Sequence, residues 1–148
     1  MKSIIIIIVF LMLLPDCNPT SYSRSKSSKP IETASTGTPM YLDEGQYAGD
    51  QLELIKLINL RMKYLWEVDE TSYMKLFHKE SPISGIPSFK IKSTTLRSEI
   101  TIREHKNVYQ AVVSVTELRY DNAEEENPTY VFQKDKTKGA EWCIRDID

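Results

Sequence analysis

The sequence predicts an α+β fold in which a long helix and a short helix pack on a curved antiparallel sheet. Three observations support this prediction. Apolar residues recur with helical spacing between residues 50 and 77. The chain after residue 89 is rich in Val, Ile, Thr and Tyr, as strands are, and short polar turns divide it into consecutive runs. The predicted order is therefore two helices followed by five strands, within one domain that spans residues 50–148.

Length and composition allow one globular domain with an appendage. The chain has 148 residues, of which 41% are hydrophobic and 27% charged, and both values are ordinary for a folded protein. Nineteen basic and twenty-one acidic side chains give a formal net charge of -2, so nucleic acid is not an expected partner. The two cysteines, Cys17 and Cys143, lie in unlike sequence, which predicts neither a disulfide framework nor a metal site.

The amino terminus predicts export. Lys2 precedes an unbroken apolar run at residues 4–14, which is shorter than the roughly 20 residues that span a bilayer and has the shape of a signal-peptide core. Residues 1–17 resemble a bacterial lipoprotein signal, in which a cysteine, here Cys17, carries the lipid as the first residue of the mature chain. Pro15 and Asp16 depart from that pattern, which has small residues before the cysteine. An uncleaved anchor and a secretory signal cut elsewhere are the alternatives.

Residues 18–49 predict a flexible tether between the signal and the domain. Ser, Thr, Pro and Lys dominate its first part, and such a composition does not bury enough apolar surface to fold. A lipid-bearing cysteine would then hold the domain near the outer face of the cell membrane, at about 5 to 6 Å times the square root of the tether length. The end of the tether carries apolar side chains that are expected to pack on the domain: Met40, Tyr41, Leu42 and Tyr47.

The first helix is predicted to begin at Asp50. Asp50 and Glu53 have the spacing of a capping box, in which the first carboxylate accepts a hydrogen bond from a free backbone N–H. More than half of the circumference of this helix is apolar, which predicts that a concave surface wraps around it. Asp69 is a second candidate N-cap, and the short helix that follows it is expected to end before the Ser-Pro step at residues 81–82.

The sheet is predicted to be organised around one long strand. Residues 97–104 and 108–120 form a hairpin around the turn at residues 105–107. Because residues 108–120 are apolar on both faces, this strand is expected to be central, with a bulge near residues 114–116 that bends it. The acidic loop at residues 121–128 is predicted to be solvated, since adjacent carboxylates diverge and the spacing of a calcium loop is absent.

The order of elements and the closing sequence VFQKDKTKGAEWCIRDID resemble the NTF2-like superfamily, in which a cone-shaped sheet wraps a long first helix. The likeness covers residues 50–148 and is to small NTF2-like modules of Gram-positive cell-envelope proteins. These modules include the amino-terminal domain of certain penicillin-binding proteins and related lipoproteins. The pattern consists of aromatic pairs on either side of a Lys-rich turn: Tyr130 and Phe132, residues 134–138, Trp142 and Ile144. It is a packing pattern, so the resemblance implies a fold and not a reaction.

A non-catalytic module for protein interaction or cell-envelope assembly is the first function hypothesis. NTF2-like enzymes, such as ketosteroid isomerases and polyketide cyclases, use a carboxylate base with a Tyr or His inside the cone. No pair of candidates for these roles has a telling spacing, so no catalytic residue, cofactor or metal is predicted. The candidates are Asp69, Tyr73, His78, Tyr109 and Glu117.

The alternative hypothesis is a small-molecule binder, or an enzyme of the ketosteroid-isomerase type, that uses a pocket in the mouth of the cone. A cavity of about a few hundred Å3 would favour a ligand or an enzyme, and a filled cone would favour the interaction module. A carboxylate bonded to a Tyr or His in that cavity would favour the enzyme. The candidate pocket residues are aromatic and would equally fill a closed core: Trp66, Tyr73, Phe77, Tyr109 and Trp142.

Overall fold

The computed structural model describes residues 37–148, which form two helices and a curved antiparallel sheet of six strands. The predicted α+β class is confirmed, as is the order of helices before strands. The predictions for residues 1–36, including the lipid attachment at Cys17, lie outside the described residues. Within residues 37–148, no helix is long and apolar enough to cross a membrane.

A long first helix, α1, spans Gly49–Glu67, and a short second helix, α2, spans Glu70–Met74. A single 3-10 turn at Glu44–Gln46 precedes them. The N-cap predicted at Asp69 is confirmed, because its carboxylate accepts a hydrogen bond from the Ser72 backbone N–H at 3.0 Å.

The capping box predicted at Asp50 is wrong. The helix begins one residue earlier, and its N-cap residue, Ala48, makes no capping bond with its side chain. Asp50 instead lies in the first turn, where its Oδ1 accepts hydrogen bonds from Lys134 Nζ and Trp142 Nε1, each at 2.9 Å. The carboxylate therefore connects the start of α1 to the end of the sheet and does not cap the helix.

The sheet is built around its third strand, as predicted. Neighbouring strands follow the spatial order β1-β3-β5-β6, and β2 and β4 also pair with β3. The sheet has one more strand than predicted because the acidic loop contributes the two-residue β4. The strands are β1 (Ile91–Leu96), β2 (Thr101–Glu104), β3 (Val108–Arg119), β4 (Glu125–Glu126), β5 (Thr129–Asp135) and β6 (Cys143–Ile147).

The central strand β3 changes partners at its middle, where the sequence predicts a bulge. On one edge, β2 pairs up to Val112 and β1 takes over at Val115. On the other edge, β5 pairs up to Ser114 and β4 takes over at Glu117. In the pairing of β1 with β3, the register is irregular in β1, between residues 91 and 93. At residues 114–116, where the sequence predicts a bulge, β3 therefore exchanges its partner strands.

The second helix ends earlier than predicted because the chain after it pairs with a strand. Phe77 and Ile144 of β6 form a parallel bridge. The Ile144 N–H donates to the Leu76 carbonyl, and the His78 N–H donates to the Ile144 carbonyl, both at 2.8 Å. These bonds use backbone groups that a longer helix would need for itself.

The core lies between α1 and the face of the sheet that β3 presents on alternate residues. The buried side chains of α1 fall in one sector of the helix, and those of the strands keep the two-residue period of a half-buried sheet. The sheet thus covers the inner part of the wide apolar sector predicted for α1, whereas Val68, which the prediction also placed in that sector, is 66% exposed. Fully buried members include Leu54, Ile55, Ile58 and Met62 from α1, and Ala111, Val113, Val115, Tyr130, Phe132 and Ile144 from the strands.

The end of the predicted tether packs on the domain in part: Leu42 and Tyr47 contact it, whereas the side chains of Met40 and Tyr41, also expected to pack, are 60% and 47% exposed. The Met40 N–H donates to the Lys92 carbonyl at 2.8 Å, beside β1. Asn59 of α1 holds the next residues, because its Oδ1 accepts from the Leu42 N–H at 2.9 Å and its Nδ2 donates to the Leu42 carbonyl at 3.0 Å. The side chains of Leu42 and Tyr47 pack against the core.

Replacing Asn59 with Ala should loosen this segment. Both backbone groups of Leu42 lose their partner, so we expect the free energy of unfolding to fall by about 1–3 kcal/mol and the Leu42 amide to exchange its hydrogen faster. Urea denaturation and native-state hydrogen exchange measure the two effects. Gln46→Ala, in the exposed turn before α1, is the matched control. Unchanged exchange at Leu42 in the Asn59 variant would contradict the assigned bonds.

Candidate functional site

A partly open cavity of about 330 Å3 lies between α1, α2, the loop that precedes β1, and the end of β3. Its polar lining combines Arg61 from α1, Tyr73 from α2 and Glu117 from β3. Apolar walls come from the loop and from β6, with Ile83, Phe89 and Ile147 among the lining residues. Two further carboxylates, of Glu126 and Asp148, belong to its more exposed part.

A larger groove of about 770 Å3 runs along the outer face of α1. Its charged lining residues are all exposed to solvent: Asp43, Glu44, Lys56 and Lys63. Charged groups in open solvent bind weakly because water screens them. We therefore take the smaller cavity, which has buried charges in its wall, as the candidate site.

Arg61, Glu117 and Tyr130 form a buried hydrogen-bonded network at this cavity. Their side chains belong to residues that are 4%, 2% and 0% exposed, respectively. Arg61 Nη1 donates to Glu117 Oε1 at 2.8 Å and also to the Tyr130 hydroxyl. That hydroxyl in turn donates to the same carboxylate oxygen. The network joins α1 to β3 and β5, so it crosses the interface between helix and sheet.

The protonation states in this network follow from its contacts. Burial acts to lower the pKa of Arg61, but the neighbouring carboxylate of Glu117 counters it, so the pKa lies above its ordinary value and the guanidinium stays charged. Burial raises the pKa of Tyr130 well above its ordinary value, and Arg61 only partly offsets this. Tyr130 is therefore a neutral donor, and the carboxylate of Glu117 faces a permanent cation.

Stability alone is a poor explanation for this network. Well-packed apolar side chains in place of a buried ion pair are often equally or more stable, because both charges must leave water. Arg61 also has a buried Nε–H without a hydrogen-bond partner among the described residues, which is uncommon in a folded core. Buried polar groups that converge on a concave, largely apolar space are typical of ligand sites.

The predicted aromatic pocket is divided between separate places. Tyr73 lines the cavity, and Phe77 packs beside it in the core, with ring centroids 5.0 Å apart. Trp66 does not line the cavity and packs edge-on against the ring of Tyr120, with the centroids 5.0 Å apart. Trp142 donates to a carboxylate at the start of α1, and Tyr109 is half-buried on β3. The residues are separated because the inner positions fill the core and do not surround a common space.

The candidate acid–base residues also lie in different parts of the fold. Tyr73 and Glu117 meet at the cavity, whereas Asp69 caps α2. His78 is half-buried at the chain reversal beyond α2, where its Nδ1 accepts from the Glu80 N–H at 3.2 Å. Glu117 is thus the one of these carboxylates that is bonded to a tyrosine hydroxyl, that of Tyr130.

Arg61 and Tyr130 are functional candidates that the sequence reasoning missed. Arg61 lies three residues after Ile58 and four before Leu65, both of which are buried, so helical spacing places it on the apolar face. A charged residue at such a position needs a partner, and this was the available signal. The strand pattern predicts Tyr130 only as a packing aromatic, because it does not show where the hydroxyl points.

Within residues 37–148, no cluster of three or more His, Cys, Asp or Glu is arranged to hold a metal ion. The acidic carboxylates use other partners, since Glu126 pairs with Arg119 at 2.6 Å and Glu124 accepts from Asn122 at 2.7 Å. Cys143 is half-buried, and burial raises the pKa of its thiol, which disfavours the reactive thiolate.

No protein-family model matches the chain, and no curated protein or solved structure is detectably similar to it.

Removing one charge of the buried network should destabilise the domain strongly. Glu117→Ala leaves Arg61 unpaired, and we expect the free energy of unfolding to fall by about 3–5 kcal/mol. The double variant Arg61→Met, Glu117→Leu should recover most of this loss, because neither charge is then buried. Urea denaturation followed by circular dichroism gives both values. Glu126→Ala, which breaks a more exposed pair, serves as the control and should cost less than about 1 kcal/mol. A double variant as unstable as the single one would contradict the assignment.

The contact of Asp50 with the sheet predicts a loss of stability in acid. Hydrogen bonds from Trp142 and Lys134 hold the pKa of Asp50 below its ordinary value of 3.8. Its contribution is therefore complete above that value and is lost as the pH falls through the lower, folded-state pKa. Asp50→Asn should flatten the dependence of unfolding free energy on pH below about 4, with Glu53→Gln as control. Equal slopes in the Asp50 variant and the parent chain would count against this contact.

Proposed function

We propose that the chain is an exported, membrane-tethered, non-catalytic binding module with an NTF2-like fold that takes a small molecule in its cavity. The observation that carries this proposal is the ion pair of Arg61 and Glu117, buried in the wall of a partly open space of about 330 Å3. The sequence places protein interaction or envelope assembly first. The cavity is the reason for putting ligand binding ahead of it.

The NTF2-like assignment is supported by the way in which helix and sheet meet. The long first helix lies across a curved antiparallel sheet whose central strand pairs on both edges. The aromatic pairs of the resemblance lie on β5 and at β6, where Phe132, Trp142 and Ile144 are buried. Each of these features is expected of a cone that wraps its first helix.

The lining defines the chemistry of a suitable ligand. An apolar body would contact Ile83, Phe89 and Ile147, and a polar group would approach the wall formed by Arg61 and Glu117. Because the two charges neutralise each other, that wall offers hydrogen bonds of both kinds without a net charge. A space of about 330 Å3 lies at the lower end of ligand pockets, so the ligand is small.

An enzyme of the ketosteroid-isomerase type is the second candidate, and the bond between the Tyr130 hydroxyl and Glu117 favours it. The presence of Arg61 speaks against it. A carboxylate oxygen that already accepts from a cation and a phenol is poorly placed to take a proton from a substrate. Conversion of a bound ligand by the parent chain, abolished by Glu117→Gln, would establish the enzyme instead of the binding module.

Ligand binding is tested by screening small compounds that combine an apolar body with one polar group, with ligand-observed NMR. We expect binders whose affinity falls at least about tenfold when Ile83→Trp fills the cavity, because a bulky side chain then occupies the ligand's volume. Ile86→Trp is the matched control, since this residue lies in the same loop and packs on the core without lining the cavity. Binders whose affinity is unchanged by Ile83→Trp would overturn the proposed site.

Tethering is tested by the intact mass of the protein recovered from its native cells. We expect a chain that begins at Cys17 and carries acyl groups, because the preceding segment resembles a lipoprotein signal. Cys17→Ser should abolish the added mass. A chain that still begins at Met1 and does not sediment with membranes would contradict both export and tethering.

A further inference from the structure

Exposed apolar side chains gather at one end of the domain. Met40, Tyr41 and Val68 are 60%, 47% and 66% exposed. The Met40 N–H donates to the Lys92 carbonyl, and the Lys90 ammonium lies over the ring of Trp66, two residues before Val68. Burial raises the pKa of the Tyr41 phenol, and the charge of Glu67, the neighbour of Val68, adds to this rise. We name Met40, Tyr41 and Val68 the apolar tip.

Val68 has a strained backbone conformation, and contacts within the domain do not offset that strain. It ends α1 with φ 55° and ψ 36°, in the left-handed region. Glycine or asparagine usually occupies this position, and a β-branched residue is disfavoured there. Its side chain is also largely exposed, so burial within the domain does not offset the strain. A contact outside the domain would explain why an apolar residue stands there.

The direction of the chain indicates what lies opposite the tip. The predicted tether spans residues 18–49, and its first part, residues 18–36, precedes the described residues, which begin at residue 37, three positions before Met40. By chain statistics this first part has a reach of only about 24 Å. A membrane-fixed Cys17 would therefore keep this end of the domain closest to the bilayer.

The charged groups around the apolar tip are of both signs, since the exposed carboxylates of Asp43 and Glu44 line the groove that Tyr41 also lines, while two lysines lie on the side of β1. Lys90 lies with its Nζ 4.9 Å from the centroid of the Trp66 ring, and Lys92 is exposed. Within the described part of the chain, neither lysine forms an ion pair. The nearby carboxylate of Glu67 is paired with Lys63, and that of Asp69 caps α2. Apolar side chains bordered by lysines and by Tyr or Trp are typical of surfaces that lie in the headgroup region.

We propose that the apolar tip docks on the bilayer surface, where Met40, Tyr41 and Val68 enter the headgroup region and Lys90 and Lys92 meet anionic lipid phosphates. This inference rests on the proposed tethering and adds an orientation to it. The tip is small, so the docking depends on the high effective concentration that a tether provides.

The test uses the full chain, reconstituted into vesicles of phosphatidylcholine and phosphatidylglycerol, with Cys143→Ala to remove the native thiol. An environment-sensitive NBD label is placed at Val68→Cys or, as the matched control, at Val112→Cys. Val112 is also an exposed apolar residue, at 44%, but it lies in the half of β3 that pairs with β2. Any label at a free Cys17 is common to both proteins.

We expect the label at position 68 to gain about twofold in emission and to shift to the blue on vesicles, with quenching by doxyl-labelled lipid, while the label at 112 does not respond. Lys92→Glu should reduce the gain, and Lys106→Glu, in the exposed turn before β3, should not. Equal responses at 68 and 112 in protein that floats with the vesicles would overturn docking and leave tethering intact. Protein that does not float would overturn both.

A second variant separates docking from folding. Val68→Gly relieves the left-handed strain, so we expect Tm to rise. If the tip docks, the same change should weaken the response of a label at Met40→Cys, because one apolar contact is lost. A rise in Tm with an undiminished label response would contradict the role assigned to Val68.

Discussion

The ion pair between Arg61 and Glu117 is the constraint on which the helix–sheet arrangement depends. A cation buried on the inner face of α1 is tolerated only opposite a carboxylate, so with Arg61 present the register that places it opposite Glu117 is favoured. Tyr130 adds β5 to the same contact and satisfies a further donor. The apolar residues around the network supply most of the burial, but they would allow the helix to slide. The charges disfavour such sliding, because it would separate the two buried partners, and both of them lie in the wall of the cavity.

Much of the fold was readable from local patterns. The period of α1, the N-cap at Asp69 and the central position of β3 each follow from residues close together in sequence, where propensity and periodicity are informative. The failure at Asp50 has a different origin. Its spacing fits a cap, but its partners are Lys134 and Trp142, more than eighty residues away, and no local pattern reports them. The short α2 was also set from afar, by the pairing of residues 76–78 with β6.

The candidate site was less predictable than the fold, for the same physical reason. Large aromatic side chains are typical of ligand pockets, but the same size also lets them fill a core. Of the five aromatic residues predicted to line a pocket, only Tyr73 lines the cavity. The more informative anomaly was a charge in an apolar stripe. Arg61 violates the pattern of its helix, and such violations are expected where function overrides local consistency. Val68 is a second violation of a local pattern, because it is an exposed apolar residue at the C-terminal end of α1, in a conformation suited to glycine.

The pairing of residues 76–78 with β6 has a consequence for how these proteins share a surface. Together with the bridge between Met40 and Ser93, it pairs backbone at one position of each outer strand, β1 and β6, while β2 is short and carries Arg103 and Glu104 on exposed positions. Open strand edges invite neighbouring molecules to join them. Under the proposed tethering, the domain is confined to the plane of a membrane and meets its own copies at high local density. Closed edges would let such copies crowd together and still remain separate molecules.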